Sequence, residues 1–182
     1  DMAPERYEVT VIGEEPWGNY NRIMLSPVLS GDKSIEDIML HPHAWYSDKG
    51  IHFIAGDAAV KIDRPRKQVH TEKGIVVDYD RLILATGSKP FIPPIKGSDL
   101  KGVLSFRDIY DVNTMLEYCK NKKNAVVIGG GLLGLEAAYG LKQRGMNVTV
   151  LHLMDRIMDR QLDARASALL KQSIEAKGIP VL

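Results

Sequence analysis

The chain has 182 residues, of which 45% are hydrophobic and 26% are charged, and its formal net charge is +1. This balance is typical of a globular protein, and the near-neutral charge argues against nucleic acid or an anionic membrane as the main partner. One cysteine and no apolar run of about 20 residues exclude an internal disulfide, a cysteine-rich metal site and a membrane span, so we expect a cytoplasmic α/β protein.

The first half of the chain alternates short apolar runs with turn residues. A β-branched run at residues 7–12, ended by Gly13, predicts a buried strand, and a loop is expected from Glu14 to about Gly31. Short helices are predicted next at 34–37 and 42–49, and a second strand at 51–54. An antiparallel meander is predicted at 58–63, 68–71 and 75–77. The apolar run at 81–85 predicts another buried strand, and the three prolines within 89–94 predict an extended connector.

The second half has a clear β-α-β-α-β pattern. A helix is predicted at 108–120, with Asp108 as its N-cap. Strands follow at 125–128, 148–153 and 179–182, and helices at 132–144 and 163–177. Residues 8–12 and 147–151 are similar strands, which suggests two related nucleotide-binding units in tandem. We therefore predict two Rossmann-like domains, at 1–104 and 105–182, with a parallel sheet and the meander. Both are expected to be incomplete, the second because its last strand has hardly begun at Leu182.

A glycine-rich turn between a predicted strand and helix is the most specific motif. Gly129, Gly131 and Gly134 fit G-x-G-x-x-G, in which the glycines allow a tight turn, close approach of a pyrophosphate and close packing of helix on strand. The first N–H groups of the helix would then hold the phosphates. An acid is expected about 20 residues further on to bind the ribose of NADH. His152 stands there instead, so the choice between NADH and NADPH stays open.

Three features of the first half suggest a second nucleotide site. Glu14 and Glu15 follow a strand, where carboxylates accept hydrogen bonds from ribose hydroxyls, and Arg22 is suited to pair with a phosphate. A small-residue turn at 84–87 lets backbone approach a ligand. Taken singly, each feature also has an ordinary explanation as solvated acids, a surface arginine or the end of a strand.

Taken together, these segments resemble a family. The matching motifs are Tyr-Asn-Arg-Ile-Met-Leu-Ser at 20–26, Ala-Thr-Gly-Ser at 85–88 running on through 92–99, and the glycine turn through residue 138. They resemble the flavoprotein reductases with two dinucleotide domains, which include ferredoxin and rubredoxin reductases and apoptosis-inducing-factor-like proteins. The resemblance is closest to the FAD/NAD(P)H module in the large subunit of NAD(P)H-dependent nitrite reductases, and it covers essentially the whole chain.

The resemblance implies two cofactors, FAD and NAD(P)H, and roles for residues at matching positions. On the FAD side, Glu14 and Glu15 would contact the adenosine ribose, and Arg22 and Ser26 would lie along the pyrophosphate and flavin. Ala59 would meet the adenine, and the FAD would also be lined by Ala85, Thr86 and Gly87. On the NAD(P)H side, the residues expected at the cofactor are Gly129, Gly131, Leu132, Leu133, Gly134, Glu136 and His152. Any iron–sulfur cluster and siroheme would lie outside this chain.

One departure from the family concerns the residue after Ser26. Ferredoxin reductases tend to have lysine there, and peroxidase-type relatives have a redox cysteine, but this chain has Pro27. Cys119 lies in a predicted helix, where a small packed residue is the better interpretation. We therefore expect no catalytic side chain and no metal ligands, because the flavin carries the chemistry.

Three functions stay open at this point. The leading hypothesis is an electron-transfer module of a nitrite reductase, which passes electrons from NAD(P)H through flavin to a metal centre. The second is a stand-alone reductase for rubredoxin or ferredoxin, and the third is a redox-sensing flavoprotein without enzymatic turnover. The sequence does not determine the oligomeric state, and a homodimer is one of the alternatives.

Overall fold

The structure is a computed structural model that describes residues 6–182, and the chain divides into two compact units. Among the described residues, the first unit contains 6–21 together with 39–88, and the second contains 22–38 and 89–182. Among residues 6–182, no helix is long and apolar enough to cross a membrane.

The first unit consists of short paired strands and one short helix. Strand β1 (Val9–Gly13) pairs in parallel with β4 (Ile51–Ala55), and β2 (Asn19–Tyr20) pairs antiparallel with β3 (Met39–His41). Helix α2 (His43–Asp48) lies between β3 and β4 and places Tyr46, which is buried, against Phe53 at a ring separation of 4.2 Å. The predicted meander is confirmed as β5 (Ala59–Asp63), β6 (Gln68–Thr71) and β7 (Val76–Asp78).

The strand predicted at 81–85 is wrong. Every residue from 81 to 90 is exposed and in no strand, with Ile83 at 87% and Leu84 at 67% of full exposure. A fully apolar strand needs hydrogen-bonded neighbours and cover on both faces, and in the described part of the chain this segment has no such partner strand. The apolar composition therefore predicted both burial and strand pairing, and residues 81–85 have neither within the described residues 6–182.

The second unit is built on a β-α-β arrangement. Parallel strands β8 (Asn124–Ile128) and β9 (Asn147–Leu151) are connected by helix α4 (Leu132–Gln143), and α3 (Ile109–Asn121) precedes them. Helix α5 (Ala164–Ala176) follows β9, and the strand predicted from 179 is a single parallel bridge between Val150 and Val181. Met146, Val148 and Val150 form the centre of this unit, each at most 4% exposed. Apart from that last strand, the predicted elements of this unit are confirmed, with ends displaced by one or two residues.

The loop predicted from Glu14 to Gly31 is only partly a loop. Residues Arg22–Met24 form a 3-10 turn that leads into helix α1 (Leu25–Ser30), and a second 3-10 turn covers Glu36–Ile38. Leu25, Val28 and Leu29 are buried and have the i, i+3, i+4 spacing of a helix face. Pro27 is tolerated because the N–H groups of the first turn have no partner within the helix.

Two aspartates cap helices, and the predicted cap at Asp108 is confirmed. The Asp108 carboxylate accepts the Asp111 N–H at 2.9 Å at the start of α3, and Asp163 accepts the Ala166 N–H at 2.8 Å at the start of α5. Replacing Asp163 by alanine leaves that N–H to water and is expected to lower the free energy of unfolding by about 1 kcal/mol. Asp163→Asn, which keeps the oxygen acceptor, should lower the free energy of unfolding by only a few tenths of a kcal/mol. Denaturant titration of both variants measures these changes. An equal decrease in the free energy of unfolding for the two variants would mean that the oxygen acceptor at residue 163 does not stabilise the helix.

Candidate functional site

The glycine-rich turn connects the carboxyl end of β8 to the start of α4. Gly129 has φ +119°, a backbone conformation that residues with a side chain rarely adopt, and its N–H donates to the Leu151 carbonyl at 2.8 Å. Gly131 is the residue that precedes α4 and has extended backbone. The turn therefore directs the first N–H groups of α4 outward from the end of the sheet, where no helical carbonyl can accept them.

The surroundings of Gly131 and Gly134 differ sharply. A β-carbon on Gly134 would lie 2.0 Å from the Gly129 carbonyl oxygen, so the close packing of α4 on the turn requires glycine there. A β-carbon on Gly131 would meet nothing within 4 Å. The space in front of Gly131 adjoins the free N–H groups of a 12-residue helix, and this arrangement fits a phosphate group.

His152 follows β9 and packs on this turn. Its Nδ1 accepts the Gly130 N–H at 3.0 Å, and its Nε2 lies 3.1 Å from the Arg156 carbonyl oxygen. The side chain is only 13% exposed. The structure thus brings His152 to the glycine turn, with both ring nitrogens engaged by backbone groups.

Five of the residues predicted at the cofactors line one cavity of the second unit. The cavity has a volume of about 110 Å³, and its predicted members are Arg22, Ser26, Leu132, Leu133 and Glu136. The Ser26 hydroxyl donates to the Glu136 carboxylate, and Arg22 donates to the Arg107 carbonyl at 2.8 Å. Helix α1 therefore presents Ser26 to the carboxylate that α4 carries one turn after its glycine-rich start.

Sequence reasoning missed Phe106 and Arg107, which line the same cavity. They lie beside the predicted boundary between domains and directly before the Asp108 cap. The only available signal was an aromatic and a basic residue at the end of a polar connector.

The contact between α1 and α4 is held by Arg144 and Gly140. Arg144 donates from Nε to the Leu29 carbonyl at 2.6 Å and from Nη2 to the Val28 carbonyl at 2.9 Å, which satisfies two of the last carbonyls of α1. A β-carbon on Gly140 would lie 2.7 Å from Leu29 Cγ, so the helices touch closely at that point. This contact fixes where Ser26 stands relative to Glu136.

Replacing Arg144 by alanine should loosen that contact. We expect the free energy of unfolding to fall by about 1 kcal/mol, because the charge-assisted bonds are lost but the guanidinium is partly exposed to solvent. Thermal unfolding checks the change, with Arg165→Ala on the exposed side of α5 as the matched control. A stability for Arg144→Ala equal to that of the control would show that the two carbonyls find water equally well.

In the first unit, Glu14 and Glu15 follow β1 but have different surroundings. Glu14 is exposed, whereas Glu15 is half-buried and its carboxylate accepts the Tyr20 hydroxyl at 2.6 Å. The Gly56 N–H donates to the Glu15 carbonyl at 3.1 Å. The segment that leads to Ala59, which is exposed, is thereby held beside the end of β1. Sequence reasoning did not identify Tyr20 as a partner of Glu15.

Asp57 anchors the same segment. Its N–H donates to the Gly13 carbonyl at 3.0 Å, and its carboxylate accepts the Lys73 N–H at 3.0 Å. Burial raises the pKa of the Asp57 carboxyl, but hydrogen bonds from Thr71 and Lys73 outweigh this effect and hold the pKa below its ordinary value. The ionised carboxylate therefore ties the start of β5 to the turn between β6 and β7.

Three further predicted residues lie in an exposed segment of the first unit. Ala85, Thr86 and Gly87 are exposed and belong to no helix or strand. Gly87 has φ +67°, and a β-carbon there would meet nothing within 4 Å. Their backbone is accessible to a ligand, but no contact joins them to Glu14, Glu15 or Ala59 among the described hydrogen bonds.

Cys119 has the surroundings of a packed residue. Its Sγ lies 3.4 Å from the Met146 sulfur, and burial raises the pKa of the thiol above its ordinary value. A raised pKa leaves little thiolate, which makes a poor nucleophile. Within residues 6–182, no three His, Cys, Asp or Glu side chains are grouped as ligands for a metal ion.

Comparison with known proteins identifies the family of this chain. The family model described as pyridine nucleotide-disulphide oxidoreductase matches residues 1–182. The chain belongs to this family. The α/β fold predicted from the sequence is thereby confirmed, as is the resemblance to the module of the nitrite reductase large subunit.

Two relatives from Bacillus subtilis (strain 168) and one solved structure illustrate the similarity. The chain is 50% identical to a nitrite reductase (NAD(P)H) over 100% of this chain and 22% of that protein. It is 46% identical to an assimilatory nitrate reductase electron transfer subunit, over 97% of this chain and 23% of that protein. The crystal structure of NADH:rubredoxin oxidoreductase from Clostridium acetobutylicum has a TM-score of 0.86 and 30% identity, and the match covers 95% of this chain and 45% of that chain. The chain thus spans less than a quarter of the length of both Bacillus relatives.

Proposed function

We propose that this chain is the FAD- and NAD(P)H-binding segment of a longer flavoprotein oxidoreductase, below called the parent protein. In this proposal the parent takes hydride from NAD(P)H and passes electrons to a downstream metal centre that reduces nitrite. The observation that carries the proposal is the glycine turn, in which Gly134 is closed by packing while the space before Gly131 is open. A turn that served only to reverse the chain would not need an open face beside a helix N-terminus.

The second unit would supply the NAD(P)H site. The first N–H groups of α4 would bind the pyrophosphate of the dinucleotide, with Gly129, Gly131 and Gly134 shaping the backbone around it. Leu132, Leu133 and Glu136 lie in the first turns of the same helix, and they line the cavity that also contains Ser26 and Arg22. In this arrangement Ser26 orients the Glu136 carboxylate, and both groups would face the nicotinamide end of the dinucleotide.

The FAD site would draw on other residues of the chain. Glu14 is exposed and would bind the adenosine ribose, with Glu15 beside it, and Ala59 would meet the adenine through its backbone. Ala85, Thr86 and Gly87 would line the cofactor. FAD, when bound, supplies the hydride acceptor and the carrier of single electrons. We propose an FAD-binding domain at 1–104 and an NAD(P)H-binding domain at 105–182. This division differs from the two compact units, because 22–38 and 89–104 belong to the second unit.

The relatives support the choice of acceptor. Nitrite reductases and an electron transfer subunit of nitrate reductase match nearly all of this chain at 50%, 46% and 39% identity. We propose that the parent acts in the cytoplasm and that its siroheme and iron–sulfur cluster are bound outside this segment. A second candidate, a stand-alone reductase for rubredoxin, is favoured by the structural similarity to the Clostridium enzyme.

An assay of electron acceptors tests the proposal and separates the two candidates. The purified parent protein is given NADH or NADPH anaerobically, with nitrite, rubredoxin or ferredoxin as the acceptor. We expect nitrite to be consumed with a rate that depends on the nucleotide. Oxidation of the nucleotide only when rubredoxin or ferredoxin is present would support the second candidate. No oxidation with any acceptor would leave a redox sensor as the better account.

A further inference from the structure

We propose that His152 is a positioning residue that holds the glycine turn in its nucleotide-binding shape and does not itself contact the nucleotide. This inference rests on the proposed function, because the shape matters only if the turn binds NAD(P)H. It also departs from the sequence-based expectation that the side chain of His152 lies at the cofactor.

The hydrogen bonds of the His152 imidazole determine which ring nitrogen carries the proton. The Gly130 backbone N–H, 3.0 Å away, can only donate, so Nδ1 must carry no proton. The Arg156 carbonyl, 3.1 Å from Nε2, can only accept, so Nε2 must carry the proton. The ring is therefore neutral, in a single tautomer, with neither nitrogen left for a ribose hydroxyl. The Asp159 carboxylate lies 3.7 Å from Nε2, on the same side of the ring as the Arg156 carbonyl.

Packing adds to these hydrogen bonds at the middle glycine. A β-carbon on Gly130 would lie 2.7 Å from Ile157 Cγ2 and 3.0 Å from His152 Cγ, so the imidazole and Ile157 close tightly over that residue. Ile157 is 2% exposed. The Met158 N–H donates to the Gly130 carbonyl at 2.9 Å, so both backbone groups of Gly130 are held by the segment after β9.

The consequence concerns the neighbouring N–H groups. Because His152 accepts the Gly130 N–H, that peptide is turned away from the open space before Gly131. The phosphate is then left to the N–H groups at the start of α4. Loss of the Nδ1 acceptor would leave the buried Gly130 N–H unpaired and free the peptide to rotate, which would disorder the site without removing any group that touches the nucleotide.

Two substitutions in the full-length parent separate this role from a general structural one. His152→Asn places an amide oxygen near the position of Nδ1, whereas His152→Gln places its amide near Nε2, within reach of Arg156 but not of Gly130. We expect His152→Gln to raise the KM for NAD(P)H about tenfold with kcat within about twofold, the pattern of lost ground-state binding. His152→Asn should restore the KM to within about threefold of the wild type. His52→Gln, which changes an exposed imidazole of the first unit, serves as the matched control.

Hydrogen exchange of the Gly130 amide in the same proteins tests the contact without relying on activity. Protection in the wild type and in His152→Asn, with rapid exchange in His152→Gln, is the expected result. Equal KM values for the asparagine and glutamine variants, or equal exchange, would overturn the inference while leaving the proposed function intact. A wild-type parent that no nucleotide reduces would instead contradict the proposed function, and the exchange data would still decide whether His152 holds the turn.

Discussion

Gly134→Ala is expected to destabilise the second unit and to abolish reduction of the parent protein by NAD(P)H. The added β-carbon would lie 2.0 Å from the Gly129 carbonyl oxygen and 3.1 Å from its carbonyl carbon. Both atoms are backbone, so no side chain can move aside, and α4 must shift away from β8. Overpacking typically costs about 1–3 kcal/mol, and with both clashing atoms in the backbone we expect about 3 kcal/mol, which is a large share of the stability of a domain. Denaturant unfolding followed by circular dichroism measures the loss.

Gly131→Ala is the matched control for stability, because it adds the same methyl group three residues earlier. The backbone there has φ −86°, which alanine adopts without strain, and the β-carbon meets nothing within 4 Å. Its unfolding free energy should equal or slightly exceed that of the wild type. A Gly134→Ala protein as stable as Gly131→Ala would contradict the packing described for the turn.

Gly131→Ala should nevertheless have a large effect on nucleotide binding. The methyl group would occupy the open space in which the pyrophosphate is proposed to meet the N–H groups of α4. Because these contacts hold the dinucleotide in both the ground state and the transition state, we expect the KM to rise about 100-fold with a smaller change in kcat. Stopped-flow reduction of the flavin at increasing NADH or NADPH concentration measures both quantities.

The control for this prediction is the flavin itself. The FAD content of Gly131→Ala and its reduction by dithionite should match those of the wild type, since neither depends on the nucleotide. Unchanged affinity for NADH and NADPH in a folded, flavin-loaded Gly131→Ala protein would show that the pyrophosphate does not lie against Gly131.

The second unit was largely predictable because its signals are local. A β-branched run, three glycines and an amphipathic helix follow one another within residues 125–144, and each specifies its own conformation. The cap of α3 was predictable for the same reason, since Asp108 bonds to an N–H group three residues away.

Other features depend on distant parts of the chain. The apolar run at 81–85 has the composition of a buried strand, but a strand also needs partners that the composition does not identify. Helix α1 was missed because Pro27 and the preceding turn residues suggest a loop, while its stability comes from Arg144 and from close contact with Gly140. The ring of His152 likewise takes its direction from Gly130 and Arg156, which sequence spacing does not specify.

The central claim is that this chain binds NAD(P)H and FAD as partners in hydride transfer. Its most direct test is the visible spectrum of the parent protein, recorded anaerobically before and after addition of NADH and then of NADPH. We predict an oxidised-flavin band that at least one nucleotide bleaches within the time of catalytic turnover. Absence of that band, or a band that neither nucleotide bleaches, would contradict the claim.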